Sequence, residues 1–336
     1  MPDPEKLVVR GWEVLRLTSD TLVADLVPAL GGTVVSLRRR SDDLELLWQS
    51  PWGLRHRGSI DLPGSSEVSM YDSYPGGWHS VFPNGGDSAS SHGAEWGFDG
   101  EARLTWLDWQ VDGSELVLAG RLVRSPFRLV RAVALRADRL TITDTVTNVG
   151  GEHLDVMWGQ QIAFGSALIG PDTVVQAGST TVRSDPRFAT SSSYDDLLPW
   201  PRAYGQQGLV NLRSVGREDT PETRMAYLSD FTDASIRVRR PSQDLTVELG
   251  WDEFAWPHVW YALETGASKG FPWFGSARYL AFTPCTSWPA HGLHDARRIS
   301  STLLRIHPEG KRTAHLSVTV TGASPHRRDQ APGTTG

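Results

Sequence analysis

The residues of this chain best suited to proton transfer are concentrated in one glycine-rich stretch, residues 76–102. The candidates are His92, Asp99 and Glu101. Asp99 and Glu101 are two positions apart, so on a strand their side chains would share one face. Two carboxylates on one face repel each other and raise one of the two pKa values, which suits general acid–base catalysis. Alternatively, one carboxylate accepts hydrogen bonds from backbone amides or arginines, and the sequence leaves both interpretations open.

The same stretch carries groups that could hold a polyhydroxylated ligand. Its seven glycines permit positive φ angles and close backbone approach. Trp78 offers an indole face for the apolar side of a sugar ring, and Asn84 offers both a hydrogen-bond donor and an acceptor. We interpret the stretch as the lining of a pocket for a small carbohydrate or glycoside. In the alternative interpretation, it is a long connection whose tryptophans only cover the end of a sheet.

Two further regions could contribute to such a pocket. In residues 155–165, Gln160 and Gln161 are consecutive within an apolar strand pattern, so at least one of them should face inward and need hydrogen-bond partners. Those partners are either buried backbone groups or ligand hydroxyls. Residues 251–292 are again rich in aromatic residues, glycine and proline, and include Glu264 and Trp273. We expect this region to meet residues 76–102 across a concave face.

Composition and charge narrow the set of partners. The histidines and carboxylates match no compact ligand spacing, so no metal and no other cofactor is predicted. The net charge of −6, with dispersed basic residues, argues against nucleic acid, and Cys285 is the single cysteine, so there is no intrachain disulfide. Neither a signal peptide nor a run of transmembrane length is recognisable, so we expect a cytoplasmic protein without membrane association. The oligomeric state is not indicated.

The elements that must position these residues are predicted to be strands. Short alternating or β-branched runs recur from end to end, and period-2 patterning indicates half-buried antiparallel strands. Residues 121–148 resemble a meander broken at Pro126 and at Ala137. Two packed sheets would bury the alternating apolar positions, so we predict an all-β sandwich. We expect one domain over residues 8–322 and a disordered tail over residues 323–336.

Four ordered blocks resemble the aldose 1-epimerase, or galactose mutarotase-like, family. They are GGWHSVFPNGG followed by GFDGE, RSPFRLVRAVAL, MWGQQIAFG, and FPWFGSARYLAFTPCTSWPAHGL. The resemblance covers most of the chain and implies a β-supersandwich of antiparallel sheets. Members of the family interconvert the anomers of free aldoses, using a glutamate as base, a histidine that protonates the ring oxygen and a second histidine that holds the sugar.

Carried over to this chain, those three positions are Thr283, Gln161 and Asp99. A threonine is not a usable base near neutral pH and a glutamine cannot shuttle a proton, so the family mechanism cannot run unchanged. His92 or Glu264 could substitute only in a rebuilt pocket. The resemblance therefore leaves three functions open: a sugar isomerase with a non-standard catalytic set, a non-catalytic carbohydrate-binding protein, and a different reaction, lyase-type or another epimerisation, on a sugar-like metabolite.

Overall fold

Antiparallel strands dominate the computed structural model, which describes residues 3–60, 62–190, 192–216 and 220–322. The predicted disordered tail, residues 323–336, lies outside the described residues. The strands are β1 (Glu5–Val9), β2 (Trp12–Thr18), β3 (Leu22–Val27), β4 (Thr33–Arg39), β5 (Leu44–Glu45), β6 (Trp78–Val81), β7 (Ala89–Ser91), β8 (Ala94–Trp96), β9 (Asp108–Asp112), β10 (Glu115–Arg121), β11 (Phe127–Arg136), β12 (Arg139–Asn148), β13 (Leu154–Val156), β14 (Gly159–Phe164), β15 (Val174–Ser184), β16 (Leu198–Pro199), β17 (Arg202–Gly205), β18 (Gly208–Asn211), β19 (Thr223–Arg240), β20 (Leu245–Trp251), β21 (His258–Thr265), β22 (Arg278–Cys285), β23 (Leu304–Ile306) and β24 (Lys311–Thr321).

Helical structure is short. The helices are α1 (Ser66–Ser73) and the single turn α2 (Leu293–Asp295), with a π-helical turn at Ala296–Ser300 and 3-10 turns at Pro28–Leu30, Ala102–Leu104, Ser166–Leu168 and Pro241–Gln243. Ser65 caps α1, because its Oγ accepts a hydrogen bond from the amide of Val68. Among the helices of the described ranges, none combines the length and the apolar character needed to cross a bilayer.

The strands form two series of antiparallel pairings that meet at β19. One series runs β9, β10, β11, β12, β24, β20 and β19. The other runs from β19 through β21, β22, β14, β6, β4, β3 and β2 to β1. Within β19, Thr223 to Leu228 pair with β21 and Ser235 to Arg240 pair with β20, and Asp230 between them has a φ of 53°. The chain therefore passes from one series to the other along the bent strand β19, and β15 pairs with both halves of β19, with a register shift between Ala177 and Ser179.

The predicted all-β sandwich is confirmed, and so is the meander. Strand β10 ends at Arg121, before Pro126, and Ala137 adopts a φ of 47° in the turn between β11 and β12. Both β11 and β12 bury alternate residues, as half-buried strands do. The two layers touch at Phe82 and Phe127, whose rings meet edge to face with centroids 4.8 Å apart. The expectation of one domain over residues 8–322 stays a prediction, although β1 already begins at Glu5.

A buried polar network joins the two layers beneath the site. Arg131 of β11 and Asp144 of β12 are both 0% exposed and form a bidentate ion pair with two N–O distances of 2.8 Å. Asp144 also accepts from Ser80 Oγ at 2.8 Å and from Gln160 Nε2 at 3.0 Å. Gln160 Oε1 in turn accepts from the indole of Trp78 at 2.6 Å. A buried charge needs such partners, so the network fixes the relative positions of β6, β11, β12 and β14.

Candidate functional site

A cavity of about 290 Å³ opens on the face of the second sheet that is opposite to the buried network. Its floor is formed by side chains from β14, β19, β21 and β22, namely Gln161, Ala163, Met225, Trp260, Ala262, Tyr279 and Ala281. Small residues at three of these positions leave room above the sheet. The volume lies near the lower end of the usual range for ligand sites, which suits a single small molecule.

Strand alternation explains how two neighbouring glutamines reach different places. Gln160 points into the network and is fully buried, whereas Gln161 points into the cavity. Gln161 lies opposite His79 in the pairing of β14 with β6. Its Nε2 donates to the hydroxyl of Tyr74 at 3.0 Å, which leaves its carbonyl oxygen as an acceptor for a ligand hydroxyl.

Aromatic side chains from separate loops form one wall. The ring of Trp273 meets Trp48 edge to face at 5.1 Å, stacks on Trp52 at 5.5 Å and contacts Tyr71 of α1 at 5.4 Å. Tyr74, directly after α1, packs against Trp48 at 6.0 Å. The two sequence regions predicted to meet, residues 76–102 and 251–292, both line this cavity.

Asp99 brings a buried carboxyl group to the wall of this cavity. It is 5% exposed, its amide donates to the carbonyl of Gly86 at 3.0 Å, and its Oδ1 accepts from the amide of Gly86 at 2.8 Å. Burial raises the pKa of Asp99 to about 6, although the Gly86 amide and the guanidinium of Arg103 act in the opposite direction. A carboxyl group that titrates close to neutral pH in a cavity can both give and take a proton.

Glu101 and His92 do not lie with Asp99. The sequence placed Asp99 and Glu101 on a strand with a shared face, and this is wrong: Asp99 has a φ of 55° and Gly100 a φ of 74°, so they form a turn. Glu101 instead accepts from the amides of Val123 and Arg124 and from Ser125 Oγ, at 3.0, 2.9 and 2.7 Å.

His92 is on the surface, with 47% of its side chain exposed and Nδ1 3.1 Å from Glu152. Like Glu101, it does not line the cavity that holds Asp99. Catalytic roles for His92 and Glu101 stay predictions that the positions of the two residues do not support.

Three of the predicted ligand-binding residues form hydrogen bonds within the protein that hold the fold together. Trp78 and Gln160 belong to the buried network. Asn84 holds two loops together, because its Nδ2 donates to the carbonyls of Asp87 and Gly97 at 2.8 and 3.0 Å and its Oδ1 accepts from the amide of Leu293 at 2.9 Å. These contacts occupy both ends of the Asn84 amide.

The remaining predicted residues divide between the cavity and its surroundings. Gln161 and Trp273 line the cavity. Glu264 accepts from the amides of Gly266 and Ala267 at 2.7 and 2.5 Å and so caps a turn. Thr283 is 2% exposed and, two residues after Ala281 on β22, shares the face of the cavity floor.

His79 lies near the cavity floor and packs against Tyr74, with ring centroids 5.4 Å apart. Burial, together with the positive charges of Arg103 and Arg131, holds the pKa of His79 well below its usual range. The imidazole is therefore neutral near pH 7, and a neutral imidazole at this position is not a proton donor to the cavity.

A histidine–aspartate pair that the sequence did not reveal also reaches the cavity. His291 lines it, is 8% exposed, and contacts the fully buried Asp185 through Nε2 at 2.6 Å. Burial alone would raise the pKa of Asp185, but the hydrogen bonds and charge of His291 and the hydroxyl of Tyr227 bring it below the usual value. No local spacing could reveal the pair, because its members are separated by 106 residues.

Ion pairs form the rim. Arg187 Nη1 lies 2.8 Å from Asp87 Oδ2, and Arg187 Nη2 lies 3.6 Å from Asp295 Oδ2. Glu67 of α1 contributes a further carboxylate to the lining. The positive charge of Arg187 is therefore engaged by acidic neighbours.

No protein-family model matches the chain, and no curated protein matches it either. Solved structures do match. One from Klebsiella pneumoniae subsp. pneumoniae MGH 78578, provisionally named an aldose 1-epimerase, has a TM-score of 0.73 at 13% identity over 96% of this chain and 84% of that chain. A protein of Synechocystis sp. PCC 6803 has a TM-score of 0.67 at 16% identity over 96% of this chain and 98% of that chain. A galactose mutarotase-like protein of Lactobacillus casei ATCC 334 has a TM-score of 0.64 at 16% identity over 92% of this chain and 100% of that chain. Identities this low establish the architecture alone, and the chain has the galactose mutarotase-like fold that its sequence blocks predicted.

Proposed function

We propose that this protein binds a neutral monosaccharide or small glycoside in the cavity and acts on it by acid–base chemistry that depends on Asp99. One observation carries the proposal: a buried carboxyl group with a pKa of about 6 lies on the wall of an aromatic-lined cavity. A strongly perturbed carboxyl group in a cleft is typical of functional sites. The solved structures named as an aldose 1-epimerase or as galactose mutarotase-like support a sugar as the ligand by analogy of fold.

The charge of the lining favours a neutral sugar. Glu67, Asp87 and Asp99 bring acidic groups to the cavity, and Arg187 is paired with Asp87. A phosphorylated or carboxylated sugar would meet like charge, and the guanidinium of Arg187 in the cavity lining is already paired with Asp87. Indole and phenol rings suit the apolar faces of a pyranose, and the Gln161 amide suits its hydroxyls.

The catalytic set must differ from the one that the sequence blocks imply. Gln161 on the cavity floor can hold a hydroxyl, but neither Gln161 nor Thr283 beside the floor can shuttle a proton at neutral pH. The proposed proton transfers therefore fall to loop residues. The absence of a cofactor and the cytoplasmic location stay predictions from the sequence. The second candidate function, sugar binding without turnover, is favoured by Gln161 and Thr283, because neither side chain can transfer a proton at neutral pH.

The test compares the wild-type protein with Asp99→Asn and with Asp108→Asn, a change at an exposed position of β9 outside the cavity. Tryptophan fluorescence is titrated with neutral aldoses, methyl glycosides and a sugar phosphate, and NMR follows anomer exchange and any new product. We expect the neutral sugars to bind and one to be converted, with conversion lost in Asp99→Asn alone. Binding without conversion would select the second candidate, and no response to any sugar would contradict both.

A further inference from the structure

His291 is held by a loop that is anchored on both sides. The amide of Gly292 donates to the carbonyl of Gly85 at 2.9 Å, and the amide of Ala290 donates to the hydroxyl of Tyr227 at 3.1 Å. The anchoring places the imidazole at the cavity wall while its Nε2 contacts Asp185. A catalytic imidazole must be fixed in this way, because a displaced ring loses its line of proton transfer.

Asp185 is surrounded by hydrogen-bond donors that keep it ionised. Its Oδ1 accepts from the amide of Arg187 at 2.9 Å and from the hydroxyl of Tyr194 at 3.3 Å, and its Oδ2 accepts from the hydroxyl of Tyr227 and from His291. Donors to the charged form lower a carboxyl pKa, as they do here despite complete burial. The carboxylate thus has four contacts, two from its own loop, one from Tyr227 of β19 and one from His291.

An ionised carboxylate only accepts hydrogen bonds, so Nε2 of His291 carries a proton, and in the neutral form of the ring it carries the only one. The lone pair is then on Nδ1. Among the described residues, Nδ1 of His291 has no hydrogen-bond partner. The ring nitrogen that remains for a ligand is therefore the basic one.

Gly86 connects this pair to Asp99. Its amide donates to Asp99 Oδ1 at 2.8 Å, and a Cβ at Gly86 would lie 2.0 Å from the carbonyl oxygen of Ala290, next to His291. Gly86 has a φ of 74°, which favours glycine. Only a glycine thus allows the Asp99 turn and the His291 loop to approach so closely.

We propose that His291 is the proton-transfer partner of Asp99 in this cavity and that Asp185 is its positioning residue. The inference rests on the proposed function, since its substrate is the same neutral sugar, here a free aldose. His291 Nδ1 takes the proton of the anomeric hydroxyl while protonated Asp99 gives its proton to the ring oxygen. The bond from C1 to the ring oxygen breaks and C1=O forms. Rotation about the C1–C2 bond and reversal of both transfers close the other anomer and restore both residues.

Charged groups face the two reacting side chains from several elements. Asp99 is influenced by Arg103, Asp87 and Glu67. His291 is flanked by Asp185, and Arg187 of the same loop carries the ion pairs of the rim. Variants at the pair are therefore compared at one pH, at which the rim charges are the same.

The kinetic test uses His291→Gln, Asp185→Asn and the control His315→Gln, which changes an exposed histidine of β24. On the aldose that the wild-type protein converts, we expect His291→Gln to lower kcat about 10²- to 10⁴-fold with little change in KM, because it removes a proton-transfer group. Asp185→Asn should lower kcat more than about tenfold, since the amide no longer selects one tautomer. Unchanged kcat in His291→Gln, with the wild-type protein active, would overturn the role of His291 as the proton-transfer partner of Asp99. It would leave the proposed function intact.

A spectroscopic test separates positioning from a merely structural role. In protein with 15N-labelled histidine at alkaline pH, the His291 ring should show a single tautomer with the proton on Nε2, and Asp185→Asn should lose that selection. A proton on Nδ1 in the wild-type protein would overturn the assignment.

If His291→Gln does not fold, carbethoxylation of the wild-type protein decides instead. Modification of His291, located by mass spectrometry, should abolish turnover and be blocked by the sugar. Modified protein that remains active would contradict the inference. Wild-type protein that neither binds nor converts any aldose would overturn this inference together with the proposed function.

Discussion

Replacing Asp99 by asparagine should stabilise the protein, and by more at high pH than at low pH. The pKa of Asp99 rises from 3.8 to about 6 on folding, mainly because the carboxyl group is buried. The unfolded chain therefore binds fewer protons than the folded one between these values, and the stability of the wild-type protein falls as the pH rises through this window. The loss of stability caused by ionising the buried Asp99 is absent below about pH 4 and complete above about pH 6 to 7. It then amounts to about 3 kcal/mol, at ~1.4 kcal/mol per pKa unit.

Asparagine carries no such penalty and keeps the local structure. Its Oδ1 can still accept from the Gly86 amide, and asparagine tolerates the φ of 55° at this position. The advantage of Asp99→Asn over the wild-type protein should therefore grow by about 2 kcal/mol between roughly pH 4.5 and pH 8. Urea unfolding followed by tryptophan fluorescence at several pH values measures it, with Asp108→Asn as the control that shows no such trend.

A difference in unfolding free energy between Asp99→Asn and the wild type that stays constant with pH would refute this reasoning. So would an Asp99→Asn protein that is less stable than the wild type at pH 8, because that result would mean that the carboxylate is held by a charged partner. Gain of stability with loss of turnover is the combination expected of a functional residue that is strained by its environment.

The other predictions concern residues around the site. Glu101→Gln should lower the free energy of unfolding by about 1–3 kcal/mol, because the charged acceptor of three hydrogen bonds is lost. Sugar affinity should be unchanged, and a weakened affinity would show that Glu101 contributes to the sugar site. Asp144→Asn should cost about 3–5 kcal/mol in denaturant unfolding, since it leaves Arg131 buried without its counter-charge, and a loss below about 1 kcal/mol would show that the network is not rigid. Gly86→Ala should abolish sugar binding in fluorescence titration, because its Cβ would meet Ala290, and unchanged binding would contradict the close approach of the two loops.

The sequence predicted the fold well because the alternation of apolar residues is a local signal. Strand β11 and strand β12 bury every second residue, and the turn at Ala137 was recognisable from its position between them. The same alternation correctly required one of the two neighbouring glutamines to face inward, and Gln160 does. A signal of this kind depends only on near neighbours along the chain.

The site was predicted less completely, because its chemistry depends on loops that meet from distant parts of the chain. The glycine-rich stretch does contribute to the cavity lining, as predicted. Its turn at Asp99 and Gly100 was taken for a strand, however, so Glu101 was wrongly expected to lie on the same face as Asp99. Asp185 and His291 share no motif, so only the folded chain brings them together. Hydrogen-bonding residues such as Asn84 cannot be divided into ligand contacts and loop braces without coordinates.

A crystal structure of the protein soaked with the neutral aldose or glycoside that binds most tightly would show whether this cavity is the sugar site. We expect one sugar ring in the cavity against Trp273 and Tyr71, with hydroxyls in hydrogen-bond contact with Asp99 and Gln161. A sugar bound elsewhere, for example in the separate surface depression beside Arg103 and Glu101, with this cavity empty, would contradict it.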